Sequence, residues 1–272
     1  MWTRADLKAR GKADFTRNYW PCVLISLIIL ILVGGGSGFG SNLTNKFSHS
    51  NSTTYNSYYE DDFDDYDSGS IIDNAPSSSL TGAIVAAIAG ISLLFACVGI
   101  VFSIFVSVPL SIGGRRFYLE NQYEKGRISR IGYVFKKAYY GNTVLTLFLR
   151  NLFISLWSLL LIVPGIVKSY SYWMMEYIMA ENPTLSHQRA FEISKKTMSG
   201  QKWDVFVLDL SFIPWTLLSA VTCGLVGVFY VNSYMDATKA QLYGFLRMNA
   251  LNQGFATPDE LPGYFPQADS NH

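Results

Sequence analysis

Five ionisable side chains lie within apolar stretches of the C-terminal half of this 272-residue chain: Arg150, Glu176, Asp209, Asp236 and Lys239. An unpaired charge in membrane hydrocarbon costs at least about 2.5 kcal/mol, so we expect these side chains to face the bundle interior and pair with one another. Paired charges of this kind can form an ion or proton relay, or line the path of a polar substrate. They can equally form a structural network that fixes helix packing, or lie close enough to the interface to reach the head groups.

The first predicted ion pair depends on a helical hairpin. Arg150 precedes the dipeptide Pro164-Gly165, and Glu176 follows it. Pro-Gly is a turn signal. Because a helix rises 1.5 Å per residue, Arg150 and Glu176 lie at similar distances from this turn along its two arms. A hairpin that reverses here therefore brings them to within about one helical turn in depth.

The second predicted pair comes from an internal repeat. The sequence Trp-Ser-Leu-Leu at 157–160 recurs as Trp-Thr-Leu-Leu at 215–218, and a turn is predicted at Gly224. Asp209 and Lys239 are equally far from this turn, one before it and one after it. The repeat also places the acid of the second hairpin where the first has its arginine. Internal repeats occur in transporters, but they also arise in membrane proteins that transport nothing.

Composition indicates the environment in which these hairpins lie. Half of the residues are hydrophobic and only 15% are charged, against about 25% in a typical soluble domain. No Asp, Glu, Lys or Arg occurs between Asp73 and Arg115, and a membrane-spanning helix needs only about 20 apolar residues. We therefore predict an all-α, polytopic transmembrane helical bundle with six spans. The net charge of +1 gives no reason to expect a nucleic-acid partner.

Alternation of apolar and polar stretches divides the chain into nine segments. We predict a basic cytoplasmic lead helix (1–19), span one (20–40), an extracellular acidic, disordered loop (41–79), span two (80–112), a basic cytoplasmic segment (113–141), helical hairpin one (142–181), an amphipathic cytoplasmic helix (182–204), helical hairpin two (205–246) and a cytoplasmic tail (247–272). The amphipathic helix suits either an in-plane position at the interface or packing on a neighbouring loop. The tail contains prolines, and we expect it to be flexible.

The distribution of basic residues gives the orientation. With six spans, 17 of the 21 Lys and Arg residues fall in cytoplasmic segments, and only Lys46 falls outside. Cytoplasmic loops carry an excess of Lys and Arg. We therefore place the chain in the cell membrane with both termini in the cytoplasm. The fourth span, 166–180, is short for a membrane crossing, but without it four basic residues would move outside.

Other chemistry is not recognisable in the sequence. Cys22, Cys97 and Cys223 lie in or beside apolar stretches, and we expect them to be small buried side chains. The Cys and His residues have no metal-ligand spacing, and no phosphate-binding glycine loop occurs. No arrangement of a nucleophile and a base is visible either. We therefore expect no metal, no cofactor and no enzymatic activity.

Several separated motifs resemble those of a known family. The longest is Leu-Ile-Val-Pro-Gly-Ile-Val-Lys-Ser-Tyr-Ser-Tyr at 161–172, followed by Ala-Glu-Asn-Pro at 180–183, Met-Ser-Gly at 198–200 and Leu-Ser-Phe-Ile-Pro-Trp at 210–215. In this order they resemble the bacterial integral membrane family catalogued as domain of unknown function 975, over roughly residues 4–33 and 105–246. The resemblance implies a multi-spanning protein of the cytoplasmic membrane, and it implies no activity.

These observations lead to two functional hypotheses. The first is a non-enzymatic membrane protein that acts through helix packing and through contacts with membrane lipids or protein partners, including self-association. The alternative is a small transporter or channel-like subunit that uses the buried charges. A polar, water-reachable cavity lined by Arg150, Glu176 and Asp209 would favour transport, whereas a dry and fully paired network would favour the structural role.

Overall fold

The computed structural model describes residues 2–31 and 101–263, together with 87, 90–95 and 97–99. All regular structure in these residues is helical, so the all-α prediction is confirmed for this part of the chain. The main helices are α1 (Arg4–Arg17), α2 (Tyr19–Ile29), α3 (Val108–Glu120), α4 (Lys137–Leu160), α5 (Ile162–Ser171), α6 (Met175–Glu181), α7 (His187–Thr197), α8 (Lys202–Leu210), α9 (Ile213–Val221) and α10 (Asn232–Asn252). A π-helical turn, Ser103–Ser107, precedes α3, and a 3₁₀ helix, Ile128–Phe135, follows it. The predicted acidic loop, 41–79, lies outside the described residues.

Three helices among the described residues are long and apolar enough to cross a membrane. They run over Gly90–Glu120, Ala138–Leu160 and Lys202–Val221. Helix α2 is also apolar, but it is shorter. The structure therefore gives three candidate spans rather than the six predicted. The returning arm of hairpin one is divided into the short helices α5 and α6, and the described part of span one, α2, has only 11 residues. The returning helix of hairpin two, α10, is 21 residues long, but it is not among the helices apolar enough to cross a membrane.

Hairpin one reverses earlier than the sequence predicts. Helix α4 ends at Leu160, and α5 begins at Ile162 after a single extended residue, Leu161 (φ −156°, ψ 136°). The reversal thus lies before the predicted Pro164-Gly165 turn. Proline is tolerated in the first turn of a helix, because the N–H groups there have no helical partner. Its position in α5 therefore costs no hydrogen bond.

Hairpin two has the turn that the sequence predicts. Cys223 (φ 53°) and Gly224 (φ 85°) both adopt the left-handed conformation, and the Gly224 N–H donates to the Ser219 carbonyl at 2.7 Å. This arrangement ends α9 as a glycine-capped helix. The chain then returns through a π-helical turn, Gly227–Val231, into α10.

A glycine packs against a serine of the outgoing arm at the closed end of both hairpins. A Cβ atom on Gly165 would lie 2.2 Å from Ser158 Oγ and 2.7 Å from Ser158 Cα. A Cβ atom on Gly227 would lie 2.2 Å from Ser219 Oγ. The contact of Ser158 with Gly165 in hairpin one therefore corresponds to the contact of Ser219 with Gly227 in hairpin two. At these closed ends, the number of residues between equivalent positions of the two hairpins is slightly larger than in the sequence repeat.

Buried side chains concentrate around α6 and α10. Six of the seven residues of α6 are buried, and Tyr177 of this helix stacks on Tyr243 of α10 with ring centroids 5.1 Å apart. The amphipathic helix α7 covers the same core with its small and apolar face, which includes Ala190 and Ile193. This face of α7 is thus buried in the bundle, and its opposite, polar face remains outside the core.

Both ends of the described chain dock onto this core. Thr3 caps α1 by accepting from the Asp6 N–H at 3.2 Å, and Lys8 Nζ donates to the Ser211 carbonyl at 3.0 Å. At the other end, Leu261 is fully buried, and Arg247 donates to its carbonyl at 2.6 Å. The segment 253–263, within the tail that the sequence predicts to be flexible, therefore makes specific contacts with the core.

The cysteines differ from the prediction as well. Cys22 is buried, but Cys97 and Cys223 are exposed, and all three are free thiols. Cys223 lies in the turn of hairpin two, at the closed end of the hairpin. The burial expected from an apolar sequence context fails there because the surroundings of the turn are themselves exposed apolar side chains.

Candidate functional site

Glu176 of α6 binds two arginines. Its Oε1 accepts from Arg150 Nη1 at 2.9 Å, and its Oε2 accepts from Arg115 Nε at 3.1 Å. Arg115 also donates through Nη1 to Asp236 Oδ1 at 2.5 Å. Arg150, Glu176, Arg115 and Asp236 therefore form a chain of ion pairs that joins α4, α6, α3 and α10.

A second ion pair lies between the arms of hairpin two. Lys239 Nζ of α10 is 3.2 Å from Asp209 Oδ1 of α8. The other carboxylate oxygen accepts a hydrogen bond from Tyr170 Oη of α5 at 3.1 Å, so this pair also contacts hairpin one. Helix α10 contributes Asp236 to the chain of ion pairs and Lys239, one helical turn away, to the second pair. We call the six charged residues of the two groups the charge layer.

The structure brings together both of the residue pairs that the hairpin geometry predicts. In hairpin one the outgoing arm carries the cation, Arg150, and the returning arm carries the acid, Glu176. In hairpin two the order is reversed, because Asp209 lies on the outgoing arm and Lys239 on the returning arm. The sign inversion indicated by the repeat is therefore present in the ion pairs themselves.

Arg115 is the member of the charge layer that the sequence analysis missed. Arg115 is the first charged residue after the long uncharged stretch that follows Asp73. This position in the sequence could have identified it as a candidate. A basic residue at the end of an apolar helix usually extends to the head groups. The contacts of Arg115 with α6 and α10 depend on how three helices pack, which sequence spacing does not reveal.

Arg115 lines two cavities. The first, of about 300 Å³, is lined by Arg115, Arg150 and Glu176 together with polar and apolar side chains that include Asn151 and Ile29. The second, of about 290 Å³, is lined by Arg115 and Asp236 with further side chains that again include Ile29. Asp209 lines neither of these two cavities. Cavities of this size that include charged side chains in a mainly apolar lining can admit water or a small ligand.

The electrostatics of the layer are balanced. It contains three cations and three carboxylates, and each has at least one partner of opposite sign within 4.0 Å. The exposed fractions of these side chains lie between 14% and 27%, so the layer is partly open rather than sealed. Within the described ranges, no group of three or more His, Cys, Asp or Glu side chains could hold a metal ion.

The C-terminal segment is held by a third cluster, outside the predicted spans. Arg189 donates through Nε and Nη2 to the two carboxylate oxygens of Glu260, at 2.6 and 3.1 Å. These hydrogen bonds lower the pKa of Glu260 to about 2, and the Thr257 N–H contributes to the same shift. In contrast, burial raises the pKa of Asp14 in α1, although Gln241 donates to it.

The fold and the charge layer define an all-helical protein with helices apolar enough to enter a membrane and with paired charges between them. The family model described as protein of unknown function (DUF975) matches residues 1–250. The chain therefore belongs to this family, as the motifs predict, and the match extends beyond the two stretches that carry the resemblance. Neither the curated proteins nor the solved structures contain a match to this chain.

Proposed function

We propose that this chain is a polytopic protein of the cell membrane, with six inserted helical segments and both termini in the cytoplasm. Its role is non-enzymatic and depends on contacts with membrane lipids and with protein partners. The observation that carries this proposal is the distribution of side chains: large apolar residues face outward along the hairpins, while the charges pair between the helices.

Helix α4 illustrates this distribution. Leu152, Leu156 and Leu159 are all exposed along it, whereas Arg150 is mostly covered. In water, a continuous exposed apolar surface of this kind would favour aggregation. In hydrocarbon it is the expected outer surface of a membrane helix, and the buried ion pairs avoid the cost of isolated charges.

The charge layer supports a structural role within this proposal. Each of its members already has a partner, and removal of one would leave another charge uncompensated. The basic residues assigned to the cytoplasm would lie beside anionic head groups, where each contributes about 1 kcal/mol of attraction. The placement of these basic residues therefore supports contact with membrane lipids as part of the proposed role.

Membrane extraction and topology mapping test this proposal. After alkaline carbonate washing we expect the full chain to stay in the membrane pellet, and reporters fused at either terminus to be active only in the cytoplasm. Purification from native membrane with its lipids would then identify partners. Release of the chain by carbonate, or a terminus outside the cell, would contradict the proposal.

A second candidate function is transport, and the cavity lined by Arg115, Arg150 and Glu176 favours it. The test is ion and proton flux in proteoliposomes, with two matched neutralisations. Glu176→Gln alters the cavity lining, whereas Asp209→Asn alters an ion pair that lines neither cavity. Transport predicts that the first substitution changes flux much more than the second. Unchanged flux in both variants, with folding intact, would end the transport hypothesis.

A further inference from the structure

The closed ends of the two hairpins have unusually apolar and exposed side chains. We define tip one as residues 159–163 and tip two as residues 219–227. In tip one, every residue is exposed, with Leu159 at 86% and Ile162 at 75%. In tip two, Val221 is 81% exposed, and Leu225 is also exposed. Both tips therefore present apolar side chains to their surroundings.

Tip one has none of the polar residues that mark a loop in water. No side chain between Ser158 and Lys168 is polar, whereas solvent-facing turns are rich in Gly, Asn, Asp and Ser. Tip two contains two hydroxyl side chains, Ser219 and Thr222. The Thr222 hydroxyl donates a hydrogen bond to the Leu218 carbonyl of α9 at 3.0 Å and therefore needs no water as a partner for its proton.

Several backbone groups of both tips are hydrogen-bonded within the tip or to the helix that leads into it. In tip one, the Leu161 N–H donates to the Trp157 carbonyl at 3.0 Å, and the Gly165 N–H donates to the Leu161 carbonyl at 3.2 Å. In tip two, the Gly224 N–H donates to the Ser219 carbonyl. Pro164 has no N–H in the first turn of α5, so one donor that would lack a helical partner is absent. Internal pairing of this kind is what hydrocarbon requires of a polypeptide backbone.

The distance from the tips to the charge layer limits their depth. At 1.5 Å per residue, the helical rise from Arg150 to Leu160 is about 15 Å, and the rise from Asp209 to Val221 is about 18 Å. Both distances are close to half of the roughly 30 Å hydrocarbon thickness, so a charge layer at the cytoplasmic edge of the hydrocarbon would leave both tips near the membrane centre. One charge is nearer, at Lys168, whose Nζ lies 4.9 Å from the Trp157 ring centroid, so that the face of the ring partly compensates the charge.

We propose that both hairpin tips end within the membrane hydrocarbon, where they contact lipid acyl chains, and that neither tip emerges into the water outside the cell. Acyl chains are the occupant because the exposed residues of tip one are consecutive and continue from the end of α4 through the reversal at Leu161 into α5. A protein partner would cover a stripe on one side, whereas fluid chains can surround the whole tip. This inference rests on the membrane location proposed above.

Cys223 provides a natural probe of tip two. The test uses the full chain in native membrane, with Cys22→Ala and Cys97→Ser so that Cys223 is the remaining thiol. A matched control adds Gln253→Cys, at an exposed position of the docked C-terminal segment, to the same background with Cys223→Ser. Both proteins are treated with a membrane-impermeant maleimide, before and after the inner face is opened.

We expect the impermeant reagent to label the Gln253→Cys control once the inner face is open, and to leave Cys223 unlabelled from either side. Detergent denaturation should restore full labelling of Cys223. Labelling of Cys223 from the outer aqueous phase, in a chain that resists carbonate extraction, would overturn the inference and leave the membrane proposal intact. Release by carbonate would instead contradict the membrane proposal.

A second measurement separates lipid contact from burial against protein. A bimane fluorophore on Cys223, or on Val163→Cys in a chain without other cysteines, reports its surroundings in vesicles of phosphatidylcholine and phosphatidylglycerol. We expect stronger quenching by lipids that carry a nitroxide on the acyl chain than by aqueous iodide. Weak quenching by both would mean that protein, such as a second copy of this chain, covers the tips, and would overturn the inference.

Discussion

Arg115 and Glu176 lie 61 residues apart in the sequence, yet Arg115 Nε is 3.1 Å from Glu176 Oε2. Through this contact, the ion pair of hairpin one is connected to Asp236 on α10. Arg115 is thus the residue through which α3 joins the charge layer. Its two acidic partners would both lose a cation if it were replaced.

The first prediction concerns this central position. Arg115→Leu should destabilise the fold by about 3 to 5 kcal/mol, because it leaves Asp236 without the ion pair seen in the structure. Thermal unfolding in detergent should show a fall of about 6 to 20 °C in apparent Tm. The control is Arg10→Leu, which removes an exposed pair with Asp6 and should cost less than about 1 kcal/mol. Equal losses in the two variants would contradict the central role of Arg115.

The second prediction tests the pair in hairpin two. Asp209→Lys should place two like charges together and lower the apparent Tm, while the exchange Asp209→Lys with Lys239→Asp should recover part of the loss. A double-mutant cycle should give a coupling energy of about 0.5 to 3 kcal/mol. Recovery should be incomplete, because Tyr170 donates to the carboxylate at position 209. Strictly additive effects would show that the pair contributes no coupling.

The third prediction contrasts the two close contacts at the hairpin ends. Gly227→Ala should be destabilising by about 1 to 3 kcal/mol, and Ser219→Ala should rescue it, because the clash is with the serine Oγ. Gly165→Ala should be destabilising as well, but Ser158→Ala should not rescue it, since Ser158 Cα would lie only 2.7 Å from the new Cβ.

Unfolding of the single and double variants in detergent measures this contrast. The relevant quantity is the change in the free energy of unfolding when alanine replaces serine in each glycine variant. Equal rescue in both hairpins would show that the closed end of hairpin one is less tightly packed than the structure indicates.

The fourth prediction concerns pH and the docked C-terminal segment. The folded-state pKa of Glu260 is lowered to about 2, below the ordinary value of about 4.3. The stabilisation from this carboxylate is therefore fully present above that ordinary value and is lost as the pH falls through about 2. Hydrogen-exchange protection of residues 253–263, corrected for intrinsic rates, should stay constant from pH 7 to 5.

Arg189→Gln is the matched variant for this measurement. It removes the two charge-assisted hydrogen bonds that hold the Glu260 carboxylate, so the pKa of Glu260 should rise toward its ordinary value. Protection of the C-terminal segment should then be lower even at pH 7. A loss of protection in the unaltered protein above pH 5 would contradict the assignment.

The charge layer shows which contacts could be predicted from the sequence. Arg150 with Glu176, and Asp209 with Lys239, follow from helical rise and the position of a turn, because both members belong to one hairpin. The contacts of Arg115 depend on packing with helices whose acids are 61 and 121 residues away. No local pattern contains that information.

The turns and the tail also differ in whether local sequence or tertiary packing determines their structure. Gly224 adopts a positive φ, which few other residues tolerate, so its turn was recognisable. Pro164 suits a turn and the first turn of a helix equally well, and tertiary packing selected the helix. The docking of residues 253–263 depends on Arg189 and Arg247, whose distance from the tail cannot be deduced from its composition.

The contact between Arg115 and Asp236 has a consequence for biosynthesis. The two residues are 121 positions apart, so at about 5 to 20 residues per second the ribosome needs roughly 6 to 24 s to supply the partner. During that interval α3 must be held with its arginine incompletely neutralised. Chains that stop before α10 would carry this charge without its final partner.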